Sequence, residues 1–484
     1  MEIDAVYHEA ALPEWRGNPL IEALPAKQDF AQVLPKLSNF PPYDEEERKL
    51  PAYLREDFVL RLNLLRLPFP EYKDCFRFVQ KGLFESYSTK NPFSPTTNHY
   101  LHYHILGETA VAPCSGLFEP NAAAMTIVGV SGVGKSKMLT QIFKYFPQVV
   151  FHQYYQGKAL PLRQLVWVRV DCPPNSTIKG LCYAILDQID LALEEPRTAP
   201  QSTLDALLVQ IEHRIRSVFL GTLVVDELQH IDIAKSGGAE AVISFLLNLI
   251  NRSGVPVILC GNPDMLKWIR RKFRLARRAE AGGYVEMGPV NPSVWPALIN
   301  AMWPLQWTNV ETPITEELSE KLYNLSAGIP DIAIRVYKTA QELVIGTGDE
   351  QITVSVLEES FSRCCVLTIE ELGELNRLRD TIPDISTRHL IDADCTANEV
   401  GKPRARTSQS IKTDIKETII PGDLTRPQHP EFADRIRALK TSVNLGGQIE
   451  SPYLVRSAAE ASDALAALKR SGVLMADPSK TLAW

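Results

Sequence analysis

The sequence predicts an α/β fold: a parallel sheet sandwiched between helices, with a small helical lid, an N-terminal extension and a C-terminal helical tail. Three observations predict it. Between residues 121 and 289 short apolar runs, AAMTIVG, LVWVRVD, TLVVDE, PVILCGNP and YVEMG, alternate with amphipathic helical stretches. That is the rhythm of buried parallel strands joined by helices, because both faces of such a sheet are covered. A glycine-rich stretch, GVSGVGKS, stands between the first of these runs and the helix-spaced SKMLTQIFKYF. Past Pro289 the strand-like runs stop, and NPSVWPALINAM, ITEELSEKLYNLSAG and PDIAIRVYKTAQELVI carry helical spacing instead, a change of class that suggests a lid packed on an α/β core.

Four segments follow from this pattern. Residues 1–120, rich in proline and aromatics and with only short helical patterns, read as an ordered N-terminal extension. Residues 121–289 are the expected core and 290–370 the expected lid. Residues 371–484 read as a linker and tail: Asp392–Pro430 is polar and without period, and SAAEASDALAALKRSGVLMA has the spacing and composition of a short helix. The 484 residues are 45% apolar, enough for two or three domains with a sizeable core. No basic stretch followed by an apolar run opens the chain, and no apolar stretch of about twenty residues occurs, so neither secretion nor a membrane span is expected and a cytoplasmic location is. The eight cysteines form no C-x-x-C pair and imply reduced thiols rather than a zinc or disulfide framework. A net charge of -7 excludes a surface coated in positive potential, so any nucleic-acid contact must come from a local patch of the 51 basic side chains.

Gly129–Ser136 spells G-x-x-x-x-G-K-S after a strand and at the opening of a helix, the context a phosphate-binding loop requires. Gly129, Ser131, Gly132, Val133 and Gly134 would turn backbone N–H groups around phosphates, Lys135 would reach the terminal phosphates and Ser136 would ligate magnesium. ATP and Mg2+ are the cofactors implied; the bland alternative is a glycine-rich strand–helix turn. Ninety-one residues after Lys135, TLVVDELQH ends a strand in Asp226 and Glu227. Asp226 suits magnesium, and Glu227 suits orienting and deprotonating a water, which favours hydrolysis over mere binding; two acids capping a helix is the other reading. Gln229 and His230 read either as sensors of nucleotide or substrate or as packing residues. Asn262, at the end of PVILCGN, suits hydrogen bonding to the attacking water or the γ-phosphate, the sensor-1 role of AAA+ ATPases, or a turn before Pro263. Six basic residues fall in the nine positions Arg270–Arg278. Arg277 and Arg278 are candidates for an arginine finger acting on a neighbouring subunit's nucleotide, or for a solvated or interface-pairing basic face. In LSAGIPDIAIRVY, Arg335 stands where a lid cation would approach the nucleotide, or is a surface arginine.

These residues together resemble the TnsC transposition regulators of Tn-seven-like transposons, relatives of the TniB AAA+ proteins. RGNPLIEALP, GVSGVGKS, VRVDCPPNSTIKGLC, VVDELQHI followed by SGG, GVPVILCGNP and LARRAEAGG occur in family order over roughly residues 15–345; Asn262 stands where the family pattern has threonine. The resemblance implies an ATP-bound homo-oligomer, ring or helical filament, around the phosphate backbone of double-stranded DNA. It would couple a TnsD or TniQ target selector to the TnsA and TnsB transposase, with hydrolysis permitting disassembly. It also implies that Thr177, Lys179 and Lys235 face the DNA; each lysine otherwise reads as a plain surface charge. Three other classes share the nucleotide motifs: a replication loader or initiator ATPase, a DNA scaffold that binds ATP without hydrolysing it, and an NTPase sensor of the defence type.

Overall fold

The computed structural model describes residues 2–94, 97, 122–174, 177–231, 239–270 and 273–381. Lys235 and residues 382–484 of the expected linker and tail lie outside the described residues, and the expected boundary at 370 falls inside the helix Ile369–Thr381. Eight strands are described: β1 (Glu2–Asp4), β2 (Ala124–Gly129), β3 (Val149–Tyr155), β4 (Lys158–Leu165), β5 (Trp167–Asp171), β6 (Thr222–Asp226), β7 (Val257–Gly261) and β8 (Gly283–Met287). Five form the core sheet in the order β5-β6-β7-β2-β8, every neighbouring pair parallel. The expected parallel α/β core is thus present, and each of its five strands falls on one of the apolar runs.

Side chains along each strand alternate between two cores, the period of two that a pleated strand imposes. Val168, Val170, Leu223, Val225 and Leu259 pack beneath helices Ile178–Ala192, Leu204–Ser217 and Ala239–Ser253. Met125, Ile127, Val224, Ile258 and Cys260 face helices Lys135–Tyr145 and Glu71–Ser88. Because all five strands run the same way, their carboxyl ends gather along one edge of the sheet. The register sets Asp226 beside Asp171 and Gly261 beside Val128. Ligand sites of open α/β sheets lie at this edge.

Two elements depart from the sequence-based expectation. The segment 1–120 holds more than short helical patterns. Glu71–Ser88 is an 18-residue helix that buries Tyr72, Cys75, Phe76, Val79, Leu83, Phe84 and Tyr87 and lies against the core. Its aromatic and cysteine face hides the usual leucine–isoleucine stripe. Between helix Lys135–Tyr145 and β5 the chain also inserts an antiparallel hairpin, β3–β4, whose turn places Gln156 and Gly157 at φ of 47° and 77°. β1 joins β3 in parallel to complete a second, three-stranded sheet.

After β8 the described elements are helices: Trp295–Met302, Glu316–Ser326, Pro330–Val344, Val354–Cys364 and Ile369–Thr381. They share a core around Trp303, Trp307, Leu322 and Tyr337, and Val59, Leu62 and Leu65 from the N-terminal segment belong to the same core. A buried ion pair also ties the two regions: Arg55 meets Glu350 through two hydrogen bonds of 2.5 and 2.8 Å. Among the described residues no helix is long and apolar enough to cross a membrane.

Candidate functional site

The tip of β2 runs into the loop Val130–Gly134 and then into helix Lys135–Tyr145. Gly134 holds φ at 102°, a left-handed conformation that a side chain would strain, and no atom lies within 4 Å of where a Cβ would stand. Ser131 through Lys137 line one wall of a cleft of about 270 Å³. Gly129 sits behind that wall, its backbone so close to Met287 that a Cβ would come within 2.3 Å of the Met287 carbonyl. Val133 is buried beneath the loop. Lys135 donates to the carbonyls of Gly129 and Val130 at 2.7 and 3.0 Å. Burial lowers its pKa from the usual lysine value, while the nearby Glu227 and Asp226 pull the other way.

Asp226 is wholly buried at the tip of β6, and Ser136 Oγ donates to its Oδ2 at 2.8 Å. The contact brings together two residues 90 positions apart in the sequence. The next residue, Glu227, lines the cleft and holds φ at 54°, outside the range a glutamate ordinarily adopts. Its N–H donates to Asp226 Oδ1 at 2.9 Å. Gln229 is engaged at both ends of its amide: Nε2 donates to Glu227 Oε2, and Oε1 accepts from the N–H of Asn262 at 3.1 Å. The tips of β6 and β7 are thereby tied together. His230 meets the Cys172 carbonyl through Nδ1 at 3.2 Å, a packing contact.

Other sequence candidates stand further from the cleft. The Asn262 side chain accepts from Asp264 N–H at 3.2 Å, the turn-forming role before Pro263. Arg335 is not in the cleft wall; it pairs with Asp331, which is, at 2.7 Å. Arg277 is exposed on the short helix Phe273–Ala279, and Arg278 donates to the Leu247 carbonyl at 3.3 Å. Thr177 caps helix Ile178–Ala192 by accepting from Gly180 N–H. Lys179 donates to the Ser202 carbonyl at 2.7 Å and lies over the Tyr183 ring.

The opposite wall was invisible to motif reading. It consists of Leu65, Arg66, Leu67, Phe69 and Tyr72 from the N-terminal segment, with Leu298, Pro330, Asp331 and Ile334 from the lid. Asp331 N–H meets the Gly132 carbonyl at 3.4 Å, which brings the start of helix Pro330–Val344 against the loop. Arg169 on β5 was also missed: its Nη2 lies 2.8 Å from Asp226 Oδ2. The one signal for it is a charge in the middle of the apolar run LVWVRVD.

Residues 120–269 match the family model of an AAA domain. The matched span runs from just before β2 through β7 and includes the whole Gly129–Ser136 loop, Asp226 and Glu227. With the strand order above, the core is an AAA+ P-loop fold. No curated protein matches the chain. Among solved structures, Aeropyrum pernix ORC2 in its ADPNP–ADP complexes is 14% identical, with a TM-score of 0.35 over 55% of this chain and 66% of that one. Aeropyrum pernix ORC1 in complex with DNA is 13% identical, with a TM-score of 0.36 over 55% of this chain and 62% of that one. Domain III of Thermotoga maritima DnaA is 15% identical, with a TM-score of 0.31 over 56% of this chain and 93% of that one. In both of these Aeropyrum structures the match spans slightly less than two thirds of their length.

Proposed function

We propose that the chain binds ATP with magnesium in this cleft, hydrolyses it, and uses the nucleotide to control its own assembly on double-stranded DNA as a TnsC-type regulator of transposition. The observation that carries the nucleotide reading is the Ser136–Asp226 contact beside a loop of the G-x-x-x-x-G-K-S type, with Glu227 in the cleft wall. The residues fit the groups implied. The open space beside Gly134 at a helix N-terminus suits a phosphate, and the hydroxyl and carboxylate oxygens suit magnesium. Among the described residues no three His, Cys, Asp or Glu gather as a metal cage.

When bound, magnesium would supply neutralisation of the charge that develops on the phosphates. Ser136 and Asp226 would hold it. Lys135 would exchange the Gly129 and Val130 carbonyls for the terminal phosphates. Glu227, held by Gln229, would orient the attacking water and accept its proton, and Asn262 would act close by at the neighbouring strand tip. Phe69, Tyr72, Leu298 and Ile334 offer an apolar slot for the base. Arg335, steered by Asp331, would sense the nucleotide from the lid, and Arg277 or Arg278 would act on a neighbouring subunit's nucleotide.

The transposition reading rests on the resemblance of residues 15–345 to TnsC proteins. Under it Thr177, Lys179 and Lys235 would contact DNA phosphates without reading sequence. A TnsD or TniQ selector would load the oligomer, and the segment beyond Asp392 would tether the TnsA and TnsB transposase, raising its local concentration. The test is electron microscopy of the full chain on linear duplex DNA with a nonhydrolysable ATP analogue, followed by capture of selector and transposase. Regular assemblies are expected with analogue and not with ADP, and Lys135→Ala should abolish them. Assembly by Lys135→Ala equal to wild type would refute the nucleotide role; assemblies that capture neither partner would refute the transposition role.

A further inference from the structure

Arg169 makes more contacts at the site than any motif explains. From the middle of β5 its guanidinium reaches Asp226 Oδ2 at 2.8 Å, the carbonyl of Ser136 at 3.2 Å and Thr140 Oγ1 at 2.9 Å, and its Nε lies 3.2 Å from Asp171 Oδ1. Two of these partners, Ser136 and Thr140, are on helix Lys135–Tyr145, so one side chain joins the edge strand β5, the first turns of that helix and the tip of β6. The Asp226 oxygen it contacts is the same one that accepts the Ser136 hydroxyl.

A fully buried carboxylate is not tolerated without a counter-charge or full hydrogen bonding. Among the described residues Asp226 accepts the Glu227 N–H and the Ser136 hydroxyl, Cys260 also lies against it, and Arg169 is the cation in contact with it. Lys135 feels the charge of Asp226 but makes no ion pair with it, its Nζ donating to the carbonyls of Gly129 and Val130. The Arg169 contact is single-pointed rather than a two-pronged fork, and the side chain keeps 24% of its surface exposed. It can therefore move off Oδ2 while retaining Thr140, the Ser136 carbonyl and Asp171 as anchors.

We propose that Arg169 is a positioning residue that serves as the resident counter-cation of Asp226 and competes with a divalent cation for the Oδ2 oxygen. The consequence is an ordering of events. Free cation is discouraged from Asp226 until phosphates arrive to share it, and Arg169 swings aside onto its remaining anchors when the loaded nucleotide enters. The chemistry rests on the nucleotide reading above, but the test does not require it.

Manganese alone, titrated into the nucleotide-free full-length protein and followed by the loss of the free-ion paramagnetic resonance signal, reads the competition directly. Arg169→Met and the more fold-conserving Arg169→Gln should each gain a saturable site at least about tenfold tighter than wild type. A unit charge a few Å away shifts cation affinity by that much even at an effective dielectric constant of about 20. Arg169→Lys, which keeps the charge, should remain near wild type. Adding Asp226→Asn to Arg169→Gln should erase the gain. Wild-type manganese affinity in both neutral variants, with circular dichroism showing them folded, would overturn the proposal, as would a gain that survives Asp226→Asn. A wild-type protein that binds no fluorescent ATP analogue would refute the nucleotide reading and leave the manganese comparison intact.

Discussion

Two arginine–carboxylate pairs with buried carboxylates, one at the lid and one at the cleft, are built differently. In the lid, Glu350 uses both oxygens on Arg55 and also accepts the N–H groups of Asn309 and Gly346. Arg55 also donates to the carbonyls of Leu50 and Trp307, and both side chains are about 5% exposed. The pair is closed. At the cleft, Asp226 is more deeply buried, yet Arg169 touches one of its oxygens once, from a side chain that is a quarter exposed. A closed pair holds two segments in one arrangement, here residues 50–65 against the lid. An open pair leaves a charged oxygen that another cation can claim. Burial alone does not distinguish structure from chemistry; the number of unshared contacts does.

The comparison can be broken from either side. The largest effect is expected at the open pair: Asp226→Asn should lower phosphate release from ATP by about 10²–10³-fold, the usual cost of removing one pre-positioned charge-stabilising group. Its melting temperature should stay closer to wild type than that of the lid variant. Turnover equal to wild type would move the magnesium side of the site elsewhere. Next, Glu350→Gln leaves Arg55 as a buried charge without its partner and should cost about 3–5 kcal/mol of stability in urea unfolding. Phosphate release per folded molecule should be unchanged, since Glu350 is not part of the cleft wall. A stability loss well under 1 kcal/mol would show the pair to be dispensable.

The smallest and most specific effect is on pH. The hydrogen bonds from Arg55, ahead of those from Asn309 and Gly346, hold the Glu350 carboxyl down to about 2 against the opposition of burial. A carboxylate whose folded value is depressed contributes stability that is fully present above its unfolded value, about 4.3, and lost as pH falls toward the folded one. Unfolding free energy should therefore decline between about pH 5 and pH 2, and Glu350→Gln should flatten that part of the profile. A variant profile parallel to wild type across this window would place the acid sensitivity in other groups.

The central strands β6, β7 and β2 were legible because each is buried on both faces and so writes an apolar run into the sequence, while the edge strands β5 and β8 are less buried and carry Arg169 and Glu286 among their apolar residues. The hairpin β3–β4 was less so: its burial alternates irregularly, and HQYYQGKALPLRQ mixes polar and apolar residues on both faces. The helix Glu71–Ser88 was obscured because its buried face is built from Tyr, Phe and Cys, with Gln80, Gly82 and Ser86 also buried. Within the cleft, Ser131–Ser136 and Glu227 could be named from spacing, whereas Phe69, Tyr72, Leu298 and Ile334 carry no motif and enter only as neighbours in space.

The sequence by itself determined the local chemistry: which loop can wrap a phosphate, which strand ends in paired acids, and where parallel strands give way to helices. Those are properties of residues within a few positions of one another, and backbone sterics and hydrophobic periodicity write them directly into the order of amino acids. Tertiary structure alone decided that Arg169 meets Asp226 across 57 residues, that Arg55 meets Glu350 across 295, and that the far wall of the cleft comes from residues 65–72 and the lid. Such contacts depend on which sheet edge, register and helix face come together. No local pattern records that, because the burial energy that selects it is summed over the whole core.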